Sequence, residues 1–188
     1  MASAPLSRIL IAIAVTSVGF AQTAARFPTN PLISTATSAS IGDNVNGPSV
    51  IRVPSWIARP LGRYYMYFAH HKGAYIRLAY ADSLAGPWKI YEPGVLNVRG
   101  TIFYRPQPDP PASPPTLYTH VASPEVFIDD ANKRLVMYVH GMWTDLKPWP
   151  ADPEEALKWM RDNHYAQFTQ TTVSRDGIHF EPRPGVAD

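Results

Sequence analysis

The stretch 63–94 constrains the fold most, because it contains three short β-type runs separated by turn-forming residues. Tyr64–Ala69 is continuously aromatic and apolar, and Tyr75–Ala81 alternates in polarity. Trp88–Tyr91 follows after Asp-Ser and Gly-Pro dipeptides, which favour tight turns. Short runs at this spacing are typical of an antiparallel meander, the unit of both β-sandwiches and β-propellers.

A second, diverged copy of this pattern occurs later in the chain. Ser49–Val53 adds a fourth run to the first unit, and the second unit has four counterparts: Ser123–Ile128, Arg134–His140 with the Met-Tyr pair in register, Phe168–Ser174 and His179–Pro182. Internal repetition at about the length of one blade favours a propeller over a sandwich. The sequence therefore predicts an all-β chain, a partial β-propeller of about two four-stranded antiparallel blades.

The predicted organisation has six segments. They are a signal peptide (1–21), an irregular lead-in (22–45), a first blade-like unit (46–94), a proline-rich connector (95–119), a second unit (120–188) and, within it, a helical insertion (142–163). Asp152 is a suitable N-cap and Pro153 a suitable first helical residue, so one short helix is expected from about Pro153 to Asp162.

The N-terminus has the anatomy of a secretory signal peptide. Arg8 precedes the apolar run Ile9–Phe20, and small residues lie near a cleavage position at Ala21. The run is short for a bilayer span, although an uncleaved anchor is the alternative. We expect a secreted or periplasmic protein with no membrane contact after cleavage.

Composition excludes several functions. The formal charge is +2 and the basic residues are scattered, so no nucleic-acid partner is expected. The chain has no cysteine, which excludes disulfides and thiolate metal sites. Phosphate loops, nucleophile elbows and zinc-protease motifs do not occur. Asp129–Asn132 resembles a small calcium loop but is better interpreted as a β-turn. No cofactor and no set of metal ligands are predicted. A calcium ion bound in the central funnel of the predicted propeller is an open alternative.

Several segments together resemble a known family, the five-bladed β-propellers around glycoside hydrolase family 43. The similarity is greatest to an uncharacterised secreted bacterial branch of that superfamily. It rests on Asn46–Pro54, on Tyr64–Gly73, on Ile76–Asp82 with the following Gly86-Pro87-Trp88, and on Ala122–Val126. It covers the first two blades, so about three blades would lie outside this chain.

The resemblance implies a funnel lined by the innermost strand of each blade, with an Asp base, an Asp that tunes a pKa and a Glu acid. Inverting hydrolysis needs acid and base roughly 6.5–9.5 Å apart. The position of the base is Gly47 here, preceded by Asn46, and neither can act as a general base. Glu125, after Ser-Pro, matches the acidic position of the second blade. The general acid would lie beyond Asp188.

Candidate site residues follow from these positions. Glu125 and Asp43 are the candidate catalytic carboxylates, with an exposed strand-edge acid and an Asx-turn residue as the respective alternatives. Candidate substrate-binding residues are Asn46, His70, His71, Arg77, His140 and Trp143. The histidines end equivalent strands and would converge on a funnel, or are turn residues. Arg77 would contact an anionic sugar or lie on a solvated face, and Trp143 would stack on a sugar ring.

Three functional hypotheses remain open. The first is a secreted carbohydrate-active protein of the family 43 type, present as a fragment without its general acid and inactive alone. The second is a non-catalytic carbohydrate-binding propeller module, and the third is a structural or interaction β protein. An oligo- or polysaccharide is the expected partner. Exposed blade edges would also allow self-association.

Overall fold

The computed structural model describes residues 24–70, 73–104, 120–142, 152, 154, 155, 158 and 168–187. These residues form two four-stranded antiparallel sheets, each with its strands in chain order. The strands are β1 (Asn46–Arg52), β2 (Tyr64–Ala69), β3 (Tyr75–Ala81), β4 (Lys89–Asn97), β5 (His120–Asp129), β6 (Arg134–Met142), β7 (Phe168–Ser174) and β8 (Glu181–Ala187). We call β1–β4 sheet 1 and β5–β8 sheet 2. The all-β prediction and the two blade-like meanders are confirmed.

Strand bounds agree with the sequence where a local pattern marks both ends. The strands β2, β3 and β7 begin and end at the predicted residues. The predicted fourth strand, Trp88–Tyr91, was too short, because β4 continues to Asn97. Gly94 adopts a positive φ of 70°, and the pairing with β3 shifts register there before it resumes at Leu96. A glycine in this conformation allows a bulge that continues the strand, although Pro-Gly suggests its end.

Both sheets carry the same irregularity in their first strand. The β1–β2 pairing contains a bulge between Asn46 and Ser49, and the β5–β6 pairing contains one between Ala122 and Glu125. The two bulges coincide with Gly47-Pro48 and Ser123-Pro124, the dipeptides that mark the repeat in the sequence. When the two sheets are compared with their bulges matched, Ser49 corresponds to Glu125. Their strand partners Tyr67 and Tyr138 then also correspond to each other.

The two sheets pack face to face around one core. Sheet 1 contributes Ile51, Tyr65, Tyr67 and Leu78, and sheet 2 contributes a face lined with aliphatic side chains: Val121, Val126, Leu135, Met137 and Val139. The opposite face of sheet 1 is covered by the lead-in segment, whose Ile33 and Ile41 pack on Met66 and Phe68. From residue 24 to residue 45 the lead-in has no strand and contains one short 3-10 turn at Ala39–Ile41.

Beyond Met142, which ends β6, the insertion is described at four positions. The Asp152 carboxylate accepts hydrogen bonds from the backbone N–H groups of Glu154 and Glu155, both at 2.9 Å. Asp152 is therefore the N-cap that the sequence predicts, and Glu154, Glu155 and Lys158 are helical. The remainder of the expected helix lies outside the described residues.

The turn between β7 and β8 attaches sheet 2 to sheet 1. Asp176 organises this turn: its carboxylate accepts hydrogen bonds from the backbone of Ile178 and His179, from the Ser174 hydroxyl and from the His179 ring, at 2.7 to 3.0 Å. The turn places the carbonyl of Gly177 against Tyr67, whose hydroxyl donates to it at 2.9 Å. Burial alone would raise the pKa of Asp176, but these hydrogen bonds outweigh it and hold the pKa well below 3.8.

We expect Asp176→Ala to lower the free energy of unfolding by about 1–2 kcal/mol near neutral pH, since the backbone N–H groups of Ile178 and His179 would lose a partly exposed carboxylate acceptor. Because the folded pKa lies below the ordinary value of 3.8, this contribution is present above that pH and is lost as the pH falls below it. Urea unfolding of wild type and variant from about pH 7 to about pH 2 should show their difference shrinking. A difference that stays constant over that range would contradict this role of the ionised group.

Candidate functional site

A carboxylate and an imidazole meet at one end of sheet 1. Asn46 opens β1 opposite Ala69, the last residue of β2, so the residues just before β1 and just after β2 share this end. The Nε2 atom of His70 lies 2.6 Å from Oδ1 of Asp43. The Asp43 side chain is 92% exposed and that of His70 is 25% exposed. The hydrogen bond from His70 holds the pKa of Asp43 below its ordinary value, and the charge of the ring acts in the same direction.

The segment that carries Asp43 is fixed to sheet 1 by polar contacts. Arg77 donates from Nη1 to the carbonyl of Asn44 at 3.1 Å, and the Tyr75 hydroxyl donates to the carbonyl of Ser40 at 3.0 Å. The Ser38 hydroxyl donates to Glu92 at 2.9 Å. These contacts hold the lead-in across β3 and β4, so that Asp43 is presented beside His70.

The solvated face that was one alternative for Arg77 is wrong. Its side chain is only 6% exposed and lies between the Phe68 and Tyr75 rings, with the guanidinium carbon 5.9 Å and 5.4 Å from their centroids. The lead-in covers it, and no sequence pattern revealed this contact. Arg77 stabilises the loop beneath Asp43 and does not face open solvent, which separates it from a sugar-binding surface.

Sheet 2 brings further polar residues to the same end. The backbone N–H of Val121 donates to the carbonyl of Gly73 at 3.0 Å, and Gly47 lies directly against Ser123. His140 pairs with Ala122 next to this junction, and His120 opens β5. Asp43 before β1, Asn46 at its start and His70 after β2 are thus at the same end of the two-sheet unit as two histidines of sheet 2, His120 and His140. His140 was predicted from the sequence as a binding residue, but His120 was not, because it lies before the repeated run Ser123–Ile128.

Glu125 lies further along β5, beyond the bulge that follows Ala122, and therefore away from this end of the sheets. Its backbone pairs with that of Tyr138. Both side chains are exposed, on the face of sheet 2 that points away from sheet 1. The exposed strand-edge acid was the alternative to a catalytic role, and the observed environment fits that alternative. His71 and Trp143, the other two predicted binding residues, lie outside the described residues.

In the part of the chain that the structure describes, every carboxyl group whose pKa is displaced has a lowered pKa. Hydrogen bonds lower the pKa of Asp43, Glu92, Asp129 and Asp176. Each of these groups is therefore a hydrogen-bond acceptor at neutral pH, whereas a general acid needs a raised pKa. Asp129 belongs to the turn between β5 and β6, where it contacts Asn132 and Arg134. This is the β-turn that the sequence predicts.

A second His-Asp pair was not expected. Nδ1 of His179 lies 2.7 Å from Oδ2 of Asp176, beside an open hollow of about 380 Å³ that Arg134 and Glu181 also line. The hollow lies at the opposite end of the sheets from Asp43. In the sequence Asp176-Gly177 signals only a turn, so the pairing with His179 is a property of the folded loop.

Two general features concern ions and membranes. Within the described ranges, His, Asp and Glu side chains form no group of three that could hold a metal ion. Among the same residues, no helix has the length and apolar character needed to cross a bilayer.

Comparison with known proteins finds one curated relative at 30% identity. It is an uncharacterized protein of Acanthamoeba polyphaga mimivirus; the alignment is 166 residues long and covers 83% of this chain and 41% of that protein. This chain therefore spans about 41% of the length of that relative. No family model matches the sequence.

Solved structures with partial likeness are glycoside hydrolases. An exo-β-1,3-galactanase from Clostridium thermocellum has a TM-score of 0.41 at 10% identity, covering 73% of this chain and 23% of that chain. A second glycoside hydrolase has a TM-score of 0.42 at 10% identity, covering 76% and 33%. An α-L-arabinofuranosidase from Clostridium thermocellum has a TM-score of 0.31 at 15% identity, covering 75% and 51%. TM-scores this low establish neither a common fold nor an activity.

Proposed function

We propose that this chain is the carbohydrate-binding part of a longer, family 43-like β-propeller protein, and that it does not hydrolyse glycans by itself. The Asp43–His70 pair carries the proposal. It combines an exposed anionic acceptor with an imidazole held at 2.6 Å, at the end of a blade-like sheet where β1 begins and β2 ends. Sugar hydroxyls are both donors and acceptors, so a fixed carboxylate–imidazole pair can bind two of them at once.

Neighbouring groups extend this surface. Asn46 opens β1 next to the pair, and His140 lies across the junction of Gly47 with Ser123. The low pKa of Asp43 keeps it anionic over the neutral and mildly acidic range, which suits a constant acceptor. Arg77 supports the loop from below through Asn44 and does not contact the ligand.

We propose that the chain does not hydrolyse glycans because its carboxyl groups do not provide a matching base and acid. The resemblance implies an Asp base where this chain has Gly47, and among the described residues the carboxyl groups with displaced pKa values are all displaced downward. Neither observation supplies the pair of acid and base that glycoside hydrolysis needs. The length of the mimivirus relative supports a longer protein in which another segment would provide them. Export through the signal peptide 1–21 belongs to the same proposal, and the intact mass of protein secreted by a bacterial host tests cleavage near Ala21.

We expect Asp43→Asn to weaken binding of galacto- or arabino-oligosaccharides by about tenfold or more, because a charged acceptor is replaced by a neutral amide. Isothermal titration calorimetry measures the affinity. The matched control is Asp82→Asn, the same change at an exposed position following β3, at the opposite end of sheet 1.

Two results would overturn the proposal. Equal affinities of wild type and Asp43→Asn for every bound oligosaccharide would remove the pair from the binding surface, and no binding at all would remove the function. Release of reducing sugar by the purified chain, above the level of buffer alone, would contradict the absence of hydrolysis.

A further inference from the structure

The connection between β1 and β2 carries an unbalanced positive charge. From residue 52 to residue 63 the chain has three arginines, Arg52, Arg59 and Arg63, and no Asp or Glu. All three are exposed. In the part of the chain that the structure describes, the salt bridges are those of Asp43, Asp129 and Asp176, so no carboxylate there is paired with any of the three arginines. Their guanidinium groups are available to an anionic ligand.

This connection is held in one conformation by contacts with both sheets. The backbone N–H of Leu61 donates to the hydroxyl of Tyr65 in β2 at 2.9 Å. The indole Nε1 of Trp56 donates at 2.9 Å to Oδ1 of Asp130, in the turn between β5 and β6. Ile57 is only 6% exposed and belongs to the core. A segment fixed in this way loses little conformational entropy when a ligand binds to it.

The same connection borders an open hollow of about 390 Å³, which we call the loop hollow. Binding sites for small ligands have volumes of roughly 300–1,000 Å³. Arg52 and Arg63 line the loop hollow, whereas Arg59 does not. Apolar residues form much of the remaining lining: Val53, Pro54, Ile57, Pro60 and Leu61. Two guanidinium groups beside an apolar wall suit a ligand that combines an anionic group with carbon–hydrogen surface.

One carboxylate, that of Asp82, also lines the loop hollow. Its Oδ1 accepts a hydrogen bond from the backbone N–H of Arg63 at 3.3 Å, so it serves to fix the base of the loop. Two arginines and one aspartate leave the lining with a formal charge of +1. The hollow therefore favours an anion over a cation.

A second hollow, of about 470 Å³, adjoins the first. The two share Arg52, Val53, Pro54 and Ser55, and the second is completed by Ile128 and Asp130. The carboxylate of Asp130 disfavours a second anionic group there but can accept a hydrogen bond from a hydroxyl. The two hollows together suit a ligand with an acidic unit next to a neutral, hydroxyl-bearing one.

Both hollows lie at the end of sheet 1 where Arg52 pairs with Tyr64. The Asp43–His70 pair lies at the other end, where Asn46 pairs with Ala69. The strand ends that border the connector and the insertion, His120 and Met142, are also at that other end. The loop hollow is therefore separate from the site that carries the proposed function.

We propose that the loop hollow is a second glycan site, which binds the carboxylate of a uronic acid residue. Arg52 and Arg63 donate hydrogen bonds to the carboxylate oxygens, and the apolar wall contacts the carbon–hydrogen face of the sugar ring. The neighbouring neutral sugar occupies the second hollow, where Asp130 accepts from one of its hydroxyls. A free phosphate or sulfate ion would leave the apolar wall without a contact, which is why a sugar acid fits better.

The test compares two ligands that differ only in the carboxylate. One is lactose carrying a single glucuronic acid residue, and the other is the same trisaccharide with its carboxyl group reduced to the alcohol. Isothermal titration calorimetry measures both affinities for the wild-type chain and for Arg52→Gln and Arg63→Gln. Arg59→Gln is the matched control, because it removes the same charge from the same loop without touching the hollow. Circular dichroism checks that each variant is folded.

We expect the wild-type chain to bind the acidic trisaccharide at least about tenfold more tightly than the reduced one. Arg52→Gln and Arg63→Gln should each remove most of this preference, whereas Arg59→Gln should change it less than about twofold. Arg63→Lys should remove part of it, because lysine keeps the charge but not the planar fork of donors.

Three results would overturn the proposal. The first is equal affinity of the wild-type chain for the two trisaccharides, or binding of neither. The second is an equal loss of preference in Arg59→Gln, which would indicate attraction by net charge without a site. The third is loss of the preference in Asp43→Asn, which would place the acidic sugar at the other end of sheet 1. Because the readout is the difference between the two ligands, it does not depend on whether the Asp43–His70 pair binds neutral sugars.

Discussion

Tyr67→Ala is expected to lower the free energy of unfolding by about 3–5 kcal/mol, the range for deleting a large aromatic side chain from a core. Tyr67 has no exposed surface and lies where sheet 1 meets the turn between β7 and β8. Its ring makes edge-to-face contacts with Tyr65 and Phe180, with centroids 6.2 Å and 5.6 Å away. Burial raises the pKa of its phenol well above 10.0, so the group stays a neutral donor to Gly177.

The repeat provides the control for this substitution. Tyr138 occupies the equivalent position in sheet 2 but is 43% exposed, so Tyr138→Ala should cost less than about 1 kcal/mol in this chain. Urea unfolding followed by intrinsic tryptophan fluorescence, to which the buried Trp88 contributes, measures both variants. Tyr67→Phe separates packing from hydrogen bonding, and it should cost about 1–2 kcal/mol because the Gly177 carbonyl loses its donor. Equal losses for Tyr67→Ala and Tyr138→Ala would contradict the burial of Tyr67 in the core and the exposure of Tyr138.

Gly141→Ala is expected to lower the free energy of unfolding by about 2–3 kcal/mol through overpacking. Gly141 lies in β6 opposite Val121, and a methyl group built on it overlaps the carbonyl oxygen of His120 and the ring of Phe103. The neighbours are backbone and a fully buried aromatic ring, neither of which can move aside without disturbing the β5–β6 pairing. The loss should therefore appear as reduced global stability.

Gly100→Ala is the matched control, because a methyl group there meets no atom within 4 Å. It should change stability by less than about 0.5 kcal/mol, as for most surface substitutions. Thermal unfolding of both variants by circular dichroism provides the comparison. A Gly141→Ala protein as stable as Gly100→Ala would indicate that β6 and Phe103 can separate without cost.

Several residues of the candidate site were predicted from the sequence individually, but the contacts between them were not. Asp43 and His70 were both singled out, yet they are 27 residues apart and nothing local connects them. Their contact arises because β1 and β2 are antiparallel and begin and end at the same edge. Glu125 was predicted at the start of a strand, but β5 begins at His120 and Glu125 lies in its middle. Its exposure was not predictable, because the same alternation allows either face of β5 to point toward sheet 1.

The sequence by itself determined the strands, the two-unit repeat and the N-cap of the insertion, since β-branched and aromatic runs, turn dipeptides and capping residues act within a few residues. The tertiary structure alone decided the burial of Arg77 beneath the lead-in, the Asp176–His179 pair and the choice of which sheet face is covered. These depend on contacts between distant segments: alternation gives every strand two faces, and packing of one sheet on another decides which of them loses its water.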